Sequence, residues 1–318
     1  VPMTAGAARP VQARGRTPQP TPPAAPVVPP DATWQARARL ILKRAQAVLW
    51  SDAGSVGRAY MQARGLQEST LRAWGLGWCP RDVFDAPEQW GLTGKRIYVP
   101  RGVVIPHFVG DEVWALKVRR FVGDAPATAD NGGKYGGPRG GQITLYGAEK
   151  LQGQRPLFIV EAELDALLLW QTVGDLVDVV ALAGAGRTLP AQWLARLLPY
   201  TRIFAALDAD KAGTLNATRL AALSARVTPV RVPEGNDMTE YHQAGGDVLA
   251  WVLAVTGDDA RFPLRVVIPP DEASLPGLAV PAGRWQRMDD GSIVVVYASA
   301  EEMAVCEEAT RVCGGGAG

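Results

Sequence analysis

The stretch AALDADKAG, residues 205–213, decides the interpretation of this chain, because a short apolar run ends there in two aspartates. Three more short apolar runs lie around it, in PLFIVEA (156–162), DVVALAGAG (178–186) and VTPVRVP (227–233). Segments with the apolar spacing of amphipathic helices separate these runs, in LDALLLWQTVG (164–174), LPAQWLARLLP (189–199) and TLNATRLAALSARV (214–227). Alternating short apolar strands and amphipathic helices predict an α/β fold in which helices cover a parallel sheet.

Acidic side chains follow the predicted strands at the points where the strands end. Glu161 ends the first strand, Asp208 and Asp210 end the third, and Asp237 follows the fourth. Sites in open α/β sheets form at the carboxyl ends of the strands, so we expect these side chains to lie close together. Carboxylates at short range repel one another unless a cation lies among them. Oxygen ligands suit Mg²⁺ or Mn²⁺ rather than zinc, and the pattern therefore predicts a magnesium or manganese site.

Three acids of this region allow other interpretations. Asp210 directly precedes a predicted helix, and an aspartate in that position can cap the helix without binding a metal. Glu163 is expected to face solvent rather than to bind an ion. Asp165 lies on the turn after the first strand, and both a role in the site and a place on the helix surface stay open.

Composition limits the classes of function without choosing among them. The 318 residues are 47% hydrophobic, enough for one large core or two to three smaller ones. The net charge of +1 indicates neither an acidic nor a basic partner, so any basic surface has to be local. The three cysteines show no zinc-finger spacing and are too few for a disulfide framework, which fits a reducing compartment. No apolar stretch reaches the length of a membrane span, and we expect a soluble, cytoplasmic protein without a membrane partner.

Shifts in composition divide the chain into four predicted parts. Residues 1–33 are rich in proline and are predicted to form a disordered linker. Residues 34–150 are predicted to form a mixed α+β basic subdomain, and residues 151–257 the α/β metal-binding domain. Residues 258–318 are predicted to form a small α+β appendix that ends in a disordered glycine tail.

The predicted basic subdomain contains three helices, over 34–50, 57–66 and 68–76, and then a β-hairpin over 102–121. Gly110 and Asp111 fit the two-residue turn of this hairpin. The following glycine-rich loop, residues 131–141, contains one lysine. One group of side chains is expected to form a basic surface that contacts phosphates, Lys117, Arg119, Arg120 and Lys134. The alternative is a solvated strand edge, because lysines also protect edge strands.

The strand-end segments FIVEAELDALLL, VVALAGAG, ALDADKAG and EGND together resemble the Toprim domain. This is the metal-binding α/β module of bacterial DnaG-type primases, type IA and type II topoisomerases and some nucleases. In that family the first strand ends in Glu-Gly and a later strand ends in a DxD pair, which Glu161, Asp208 and Asp210 match. Asp165 and Asp237 match further acids of the family. The resemblance implies that these five acids bind Mg²⁺ or Mn²⁺ and that the first three are catalytic.

The region ahead of these segments resembles the catalytic core of DnaG-type primases. Three stretches match it in the right order, YMQARGLQESTLRAWGLGWCP (60–80), VVIPHFVGDEVWALKVRRF (103–121) and GKYGGPRGGQITLYG (133–147). By motif position, the resemblance implies nucleic-acid contacts for Arg64, Arg119 and Lys134. It also implies primer synthesis on a single-stranded DNA template from nucleoside triphosphates, with a replicative helicase as a further partner. No cysteine precedes Cys79, so the zinc finger of that family is not expected here.

Three other functions stay open beside primer synthesis. A Toprim nuclease could use the same acids to hydrolyse a phosphodiester, although the primase-like hairpin argues against it. A non-catalytic protein could bind single strands, although it would have no reason to keep the costly acid cluster. A dinucleotide-binding protein is the weakest alternative, because AGAGRT (183–188) lacks a third glycine and a suitable downstream acid. Ala162 also departs from the Toprim pattern, which has glycine there, and this affects how closely a phosphate can approach.

Overall fold

A computed structural model describes residues 27–184, 189–257, 264–270, 285–288, 291–297 and 303–306. The disorder predicted for residues 1–26 and for the glycine tail concerns residues outside this part. The predicted linker reached residue 33, whereas Val27 N donates to Gln192 Oε1 at 3.0 Å and the first helix begins at Ala32. None of the described helices combines the length and the apolar character that crossing a bilayer requires.

The described N-terminal half contains three α-helices and two antiparallel sheets. The helices are α1 (Ala32–Leu49), α2 (Ser55–Gln62) and α3 (Glu68–Ala73). The strands are β1 (Gly77–Cys79), β2 (Val83–Asp85), β3 (Ile97–Val99), β4 (Gly102–Val109), β5 (Glu112–Val122), β6 (Ala125–Pro126) and β7 (Tyr135–Gly136). The larger sheet has the order β1-β4-β5-β6 with β7 also paired to β5, while β2 and β3 form a separate pair.

Helix α1 forms because its start is capped and its apolar residues recur at helical spacing. The Asp31 carboxylate accepts a hydrogen bond from Thr33 N at 2.8 Å. Six apolar side chains form its buried stripe, Trp34, Ala38, Ile41, Leu42, Ala45 and Leu49. This stripe packs against β1 and β5 and so supports the sheet that carries the basic residues. The three predicted helices are confirmed, but α2 ends at Gln62 and α3 at Ala73, before their predicted ends at 66 and 76.

Strands β4 and β5 form the predicted hairpin. Gly110 and Asp111 make its turn, and Gly110 adopts a φ of 57°, a left-handed value that glycine accepts without strain. Lys117 and Arg119 lie two positions apart on β5, so their side chains share one face of the sheet. Lys117 and Arg119 therefore lie on the same face of the sheet, as predicted.

The described C-terminal half is built around a parallel sheet. Its strands are β8 (Leu157–Val160), β9 (Asp178–Ala181), β10 (Ile203–Ala206) and β11 (Val227–Pro229). Its helices are α4 (Glu163–Val173), α5 (Ala191–Arg196), α6 (Lys211–Leu223), α7 (Met238–Gln243) and α8 (Val248–Thr256). The order is β11-β10-β8-β9 with every pair parallel. The predicted α/β sheet is confirmed, and β8 and β9 are buried at every position because helices cover them.

The two halves share one apolar core and one stretch of backbone pairing. Met61 and Trp78 from the N-terminal half belong to the same buried cluster as Leu167 of α4. Tyr146 and Ala181 exchange two backbone hydrogen bonds, each of 3.0 Å, so the N-terminal half extends the parallel sheet beside β9. These contacts hold the hairpin against the sheet.

A small antiparallel sheet follows α8, with strands β12 (Leu264–Ile268), β13 (Trp285–Arg287) and β14 (Ile293–Tyr297). Its order is β12-β14-β13. Gln286 Oε1 accepts from Val248 N at 3.0 Å and from Leu249 N at 3.3 Å, which satisfies free amides at the start of α8. Gln286 therefore fastens this sheet to the rest of the protein.

Candidate metal and nucleic-acid site

A cavity of about 360 Å³, called the acidic cavity below, lies where the hairpin meets the carboxyl edge of the parallel sheet. Thirteen residues line it, Arg64, Lys117, Arg119, Lys134, Tyr135, Glu161, Ala162, Leu164, Asp165, Gly184, Asp208, Asp210 and Asp237. Every predicted metal ligand and every predicted nucleic-acid contact except Arg120 is in this set. Residues as distant in the sequence as Arg64 and Asp237 are thus brought together.

The sheet topology explains why the acids meet. Strands β8 and β10 are parallel neighbours, and Val160 lies in register with Ala206. Glu161 follows β8 directly and Asp208 follows β10 by two residues, so both emerge at the same edge. Ala209 N donates to Asn236 O at 2.8 Å, which draws the loop before α7, with Asp237 at its end, to the same place.

Glu161 is buried, and one of its carboxylate oxygens has no hydrogen-bond donor among the described residues. The residue is 9% exposed, and this oxygen is Oε2. Burial raises the pKa of Glu161, the nearby Asp210 carboxylate raises it further, and the Lys117 ammonium opposes both. A buried carboxylate oxygen without a donor is costly, and a cation would remove this cost.

Burial also disfavours the charged forms of Asp208 and Asp165. Burial and, after it, the carboxylates of the other four cavity acids together raise the pKa of Asp208 to about 7. Burial, followed by the Asp237 carboxylate, raises the pKa of Asp165, although Thr239 N and Thr239 Oγ1 donate to it at 3.0 and 2.5 Å. Acids crowded together with raised pKa values have the electrostatic character of a cation site.

A pH dependence of stability follows from Asp208. Its pKa is about 7 in the folded state against 3.8 unperturbed, so the folded state binds more protons between these values and its stability falls as the pH rises. Without divalent cations, we expect Asp208→Asn to gain about 1–2 kcal/mol relative to the wild type between pH 5 and pH 7.5, after allowing for solvent screening.

Urea unfolding in the presence of a chelator measures this difference. Glu234→Gln is the matched control, because Glu234 is an exposed acid of the same loop as Asp237 and does not line the cavity. Its unfolding free energy should follow that of the wild type at each pH. If the unfolding free energies of the wild type and Asp208→Asn changed with pH in the same way, the pKa of Asp208 would not be raised in the folded state.

Asp210 and Asp237 have a second role as helix caps. Asp210 Oδ1 accepts from Gly213 N at the start of α6, and Asp237 Oδ1 accepts from Glu240 N at the start of α7, each at 2.8 Å. The capping interpretation of Asp210 is therefore confirmed. A carboxylate has two oxygens, so a cap through Oδ1 leaves room for a cation at the same side chain.

The prediction that Glu163 faces solvent is wrong. Its side chain is 0% exposed, and Lys117 Nζ donates to both carboxylate oxygens at 2.8 Å. His107 Nε2 lies 3.1 Å from Glu163 Oε1, and His107 Nδ1 lies 3.1 Å from Thr144 Oγ1. Burial alone would raise the pKa of Glu163, but the Lys117 ammonium and the hydrogen bonds from His107 and Lys117 lower it to about 2. Glu163 points into the interior between the two halves because its counter-charge is there.

Lys117 consequently lies in the wall of the cavity, with its ammonium directed to Glu163 rather than to open solvent. Its side chain is 12% exposed, and Nζ also donates to Ala183 O at 3.0 Å. Ala183 adopts a φ of 62°, the one left-handed value among the described non-glycine residues. Lys117 thus ties the turn after β9 to the hairpin. The rest of the predicted AGAG loop, residues 185 and 186, lies outside the described residues.

The other predicted cations occupy different positions around the cavity. Arg119 is 8% exposed and donates to Tyr60 OH, Ala127 O and Lys134 O at 3.1, 2.7 and 2.9 Å. Arg120 points away and donates to Gly133 O at 2.7 Å. Lys134 is exposed at the rim. The solvated-edge alternative is wrong for Lys117 and Arg119, and it stays open for Lys134.

A salt titration of single-strand binding tests Lys134. We expect Lys134→Ala to lower the slope of log affinity against log salt by about 0.7, since one phosphate contact is lost. Lys43→Ala is the control, because Lys43 is an exposed lysine of α1 that does not line the cavity. Equal slopes for the wild type and both variants would support the solvated-edge alternative.

Several residues of the site were not predicted, among them Tyr135, His107, Thr144, Asn236 and Thr239. Tyr135 lies beside both buried cations, with its ring centre 4.3 Å from Lys117 Nζ and 5.4 Å from Arg119 Cζ. His107 contacts the Glu163 carboxylate, and Thr144 contacts the other ring nitrogen of His107. The Lys-Tyr pair of the glycine-rich loop was a signal for Tyr135, whereas nothing in the local sequence marks His107 or Thr144 as partners of Glu163.

The acids fit Mg²⁺ or Mn²⁺ by their chemistry. Their candidate ligand atoms are all oxygen, the unpartnered Glu161 Oε2 lies among them, and the pKa values of Glu161, Asp165 and Asp208 are raised by burial. In the described part of the chain, no three His, Cys, Asp or Glu side chains are gathered closely enough to hold one ion. Side-chain rotations of the cavity acids would therefore accompany metal binding.

Comparisons with known proteins agree with this geometry. A family model described as Toprim-like matches residues 158–242, about a quarter of the chain. A DNA primase of Myxococcus xanthus is 26% identical over 229 residues, which cover 63% of this chain and 38% of that protein. The chain thus spans less than two fifths of the length of this relative.

Two solved structures share the fold. A DNA primase domain from Pseudomonas aeruginosa is 22% identical with a TM-score of 0.56, over 70% of this chain and 78% of that one. A DnaG primase catalytic domain bound to single-stranded DNA is 19% identical with a TM-score of 0.54, over 71% of this chain and 78% of that one. The α/β sheet and the mixed subdomain before it therefore share the fold of these two domains.

Proposed function

We propose that this chain, which carries a Toprim-like domain and resembles the catalytic cores of DnaG-type primases, makes short RNA primers on single-stranded DNA. The observation that carries the proposal is the acidic cavity, in which acids from two neighbouring strand ends face cations of the hairpin and of the glycine-rich loop. A site that joins nucleotides needs both, because it must bind divalent cations and a phosphate backbone at the same place.

Glu161, Asp208 and Asp210 would hold Mg²⁺ or Mn²⁺, and Asp165 and Asp237 would assist them. When bound, the cation would lower the pKa of the attacking 3′-hydroxyl and neutralise charge on the leaving pyrophosphate. Asn236 Nδ2, 3.4 Å from Asp208 Oδ2, and the Thr239 donors orient two of the acids before a cation arrives.

The cations of the cavity would bind the template and the nucleotide through their phosphates. Lys134 is exposed at the rim, where a backbone phosphate can reach it. Arg64 lines the acidic side of the cavity and lies over the Tyr60 ring, 5.1 Å from its centre. Arg119 donates hydrogen bonds to Tyr60, Ala127 and Lys134. It would therefore both stabilise the basic surface and contact phosphates. Backbone contacts of this kind position a strand without reading its sequence.

Incubation with single-stranded DNA, ribonucleotides and Mg²⁺ or Mn²⁺ tests the proposal. New short RNA products that depend on the template support primer synthesis. Shortened template without new products indicates instead the nuclease that uses the same acids. Binding of the template with neither product indicates the non-catalytic alternative.

A further inference from the structure

The two-stranded sheet of β2 and β3 carries an exposed aromatic pair outside the acidic cavity. Phe84 and Tyr98 lie directly opposite each other across the strands, with ring centres 5.0 Å apart and planes inclined by 22°. Phe84 is 52% exposed. The strand neighbours of Tyr98, Ile97 and Val99, face inward and are fully buried, so alternation forces the aromatic pair outward. Single exposed apolar side chains are ordinary, but a stacked pair exposes a larger continuous aromatic surface.

Two arginines without a carboxylate partner among the described residues lie at this sheet, one over the Phe84 ring and one on the segment that leads into β3. Arg96 lies 6.0 Å from the centre of the Phe84 ring and donates to the Phe84 carbonyl. Arg139 donates to the carbonyls of Thr93 and Lys95, next to Arg96 in the chain. Neither arginine has an ion pair within the described chain. Carbonyl oxygens satisfy the N–H donors but leave the positive charges available to an anionic partner.

One acid also lies beside the pair and is already engaged. Asp82 Oδ1 accepts from Tyr98 OH at 3.0 Å and from Arg101 N at 2.8 Å. It holds the Tyr98 ring and the end of β3 in place. The surface therefore combines two aromatic rings, free positive charge and a carboxylate that is occupied by its neighbours.

Arg120 lies between the strand that carries Tyr98 and the acidic cavity. Its side chain and Pro100, which directly follows β3, flank Gly136, and its guanidinium donates to Gly133 O at 2.7 Å, in the glycine-rich loop. Arg120 N donates to Lys134 O at 2.9 Å, and Lys134 lines the acidic cavity. Arg120, the one predicted nucleic-acid contact outside the cavity, thus joins the aromatic pair to it.

We propose that Phe84 and Tyr98 form a stacking platform for the bases of a single strand whose backbone passes Arg120 and Lys134 to the acidic cavity. The inference rests on the proposed function, because it assigns a second contact to the same template. Aromatic rings stack on every base and therefore bind single strands without sequence preference. A duplex keeps its bases stacked inside and cannot use the platform. The anionic backbone of the strand matches the free charge of Arg96 and Arg139.

Binding of a labelled oligothymidylate of about 20 nucleotides and of an abasic strand of the same length tests the platform. The wild-type chain should bind the oligothymidylate more tightly than the abasic strand. Phe84→Ala should weaken oligothymidylate binding about ten-fold and leave abasic binding and the salt slope unchanged, because it removes a ring and no charge. Phe84→Trp should retain the affinity. Leu223→Ala is the control, since Leu223 is 64% exposed on α6.

Each other outcome contradicts a defined part of the account. If Phe84→Ala binds oligothymidylate like the wild type, or weakens both strands equally, the platform is wrong while the template cavity stands. If the wild type binds neither strand, the platform and the proposed function both fall. If Phe84→Trp binds as poorly as Phe84→Ala although both unfold at the temperature of the wild type, aromatic stacking is not the cause.

Discussion

Replacing Asp208 and Asp210 together by asparagine is expected to lower primer synthesis by about 10³-fold or more, because the cavity would then lose two of the three carboxylates proposed to hold the metal ion. The substitution is informative because asparagine caps helices about as well as aspartate. The bond from Gly213 N to residue 210 can therefore survive while the charge is lost. The change separates the capping role of Asp210 from the metal role.

Template-dependent incorporation of labelled ribonucleotides, compared at equal protein concentration, measures the effect. Glu234→Gln is the matched control and should retain wild-type activity within about two-fold, since surface changes away from the site have small effects. Circular dichroism should show the same folded state for all three proteins. Synthesis by the double variant at the rate of the control would reduce Asp210 to a cap and remove the acid pair from the mechanism.

Replacing Glu163 by glutamine is expected to destabilise the protein by about 3–5 kcal/mol, because it leaves the Lys117 ammonium buried without its counter-charge. Lys117 is 12% exposed and Glu163 is 0% exposed, so solvent cannot compensate for the loss. Lys117→Met combined with Glu163→Gln removes both charges and should recover part of the lost stability. Urea unfolding of the wild type, the two single variants and the double variant measures the coupling.

The exposed pair of Glu68 and Arg72 is the matched control for this ion pair. Its side chains are 58% and 53% exposed, and Glu68→Gln should cost less than about 1 kcal/mol. The pKa of Glu163 is lowered to about 2 from 4.5, so its contribution is complete above pH 4.5 and is lost as the pH falls towards 2. A cost for Glu163→Gln no larger than for Glu68→Gln would show that the buried pair does not stabilise the fold.

The parallel sheet and the place of its acids could be predicted from the sequence because both follow from local patterns. The alternation of apolar runs and amphipathic segments fixes which residues end each strand, and parallel neighbours then bring Glu161 and Asp208 to one edge. The capping role of Asp210 follows from its place before α6 in the same way.

The environment of Glu163 could not be predicted, because its partners are distant in the chain. Lys117 lies 46 residues before it and His107 lies 56 residues before it. At the first position of a helix an acid normally faces solvent and stabilises the helix end. Only the docking of the hairpin on the sheet, through the shared core and the pairing of Tyr146 with Ala181, turns this position into an interior one.

The surroundings of the basic residues could not be predicted from the sequence either. Alternation along β5 correctly places Lys117 and Arg119 on one face, but it does not reveal what that face meets. The structure sets that face against the acids rather than against water, and it directs Arg120 to the glycine-rich loop. Tertiary contact, and not strand pattern, decides which cations a nucleic acid can reach.

Binding of Mn²⁺ followed by electron paramagnetic resonance tests the central claim most directly, namely that acids from the ends of β8 and β10 hold a divalent cation in one cavity. The wild type and Glu234→Gln are expected to bind Mn²⁺ with equal affinity, and the variant with asparagine at 208 and 210 is expected to bind it at least about ten-fold more weakly. Equal Mn²⁺ affinity in all three proteins would contradict the account.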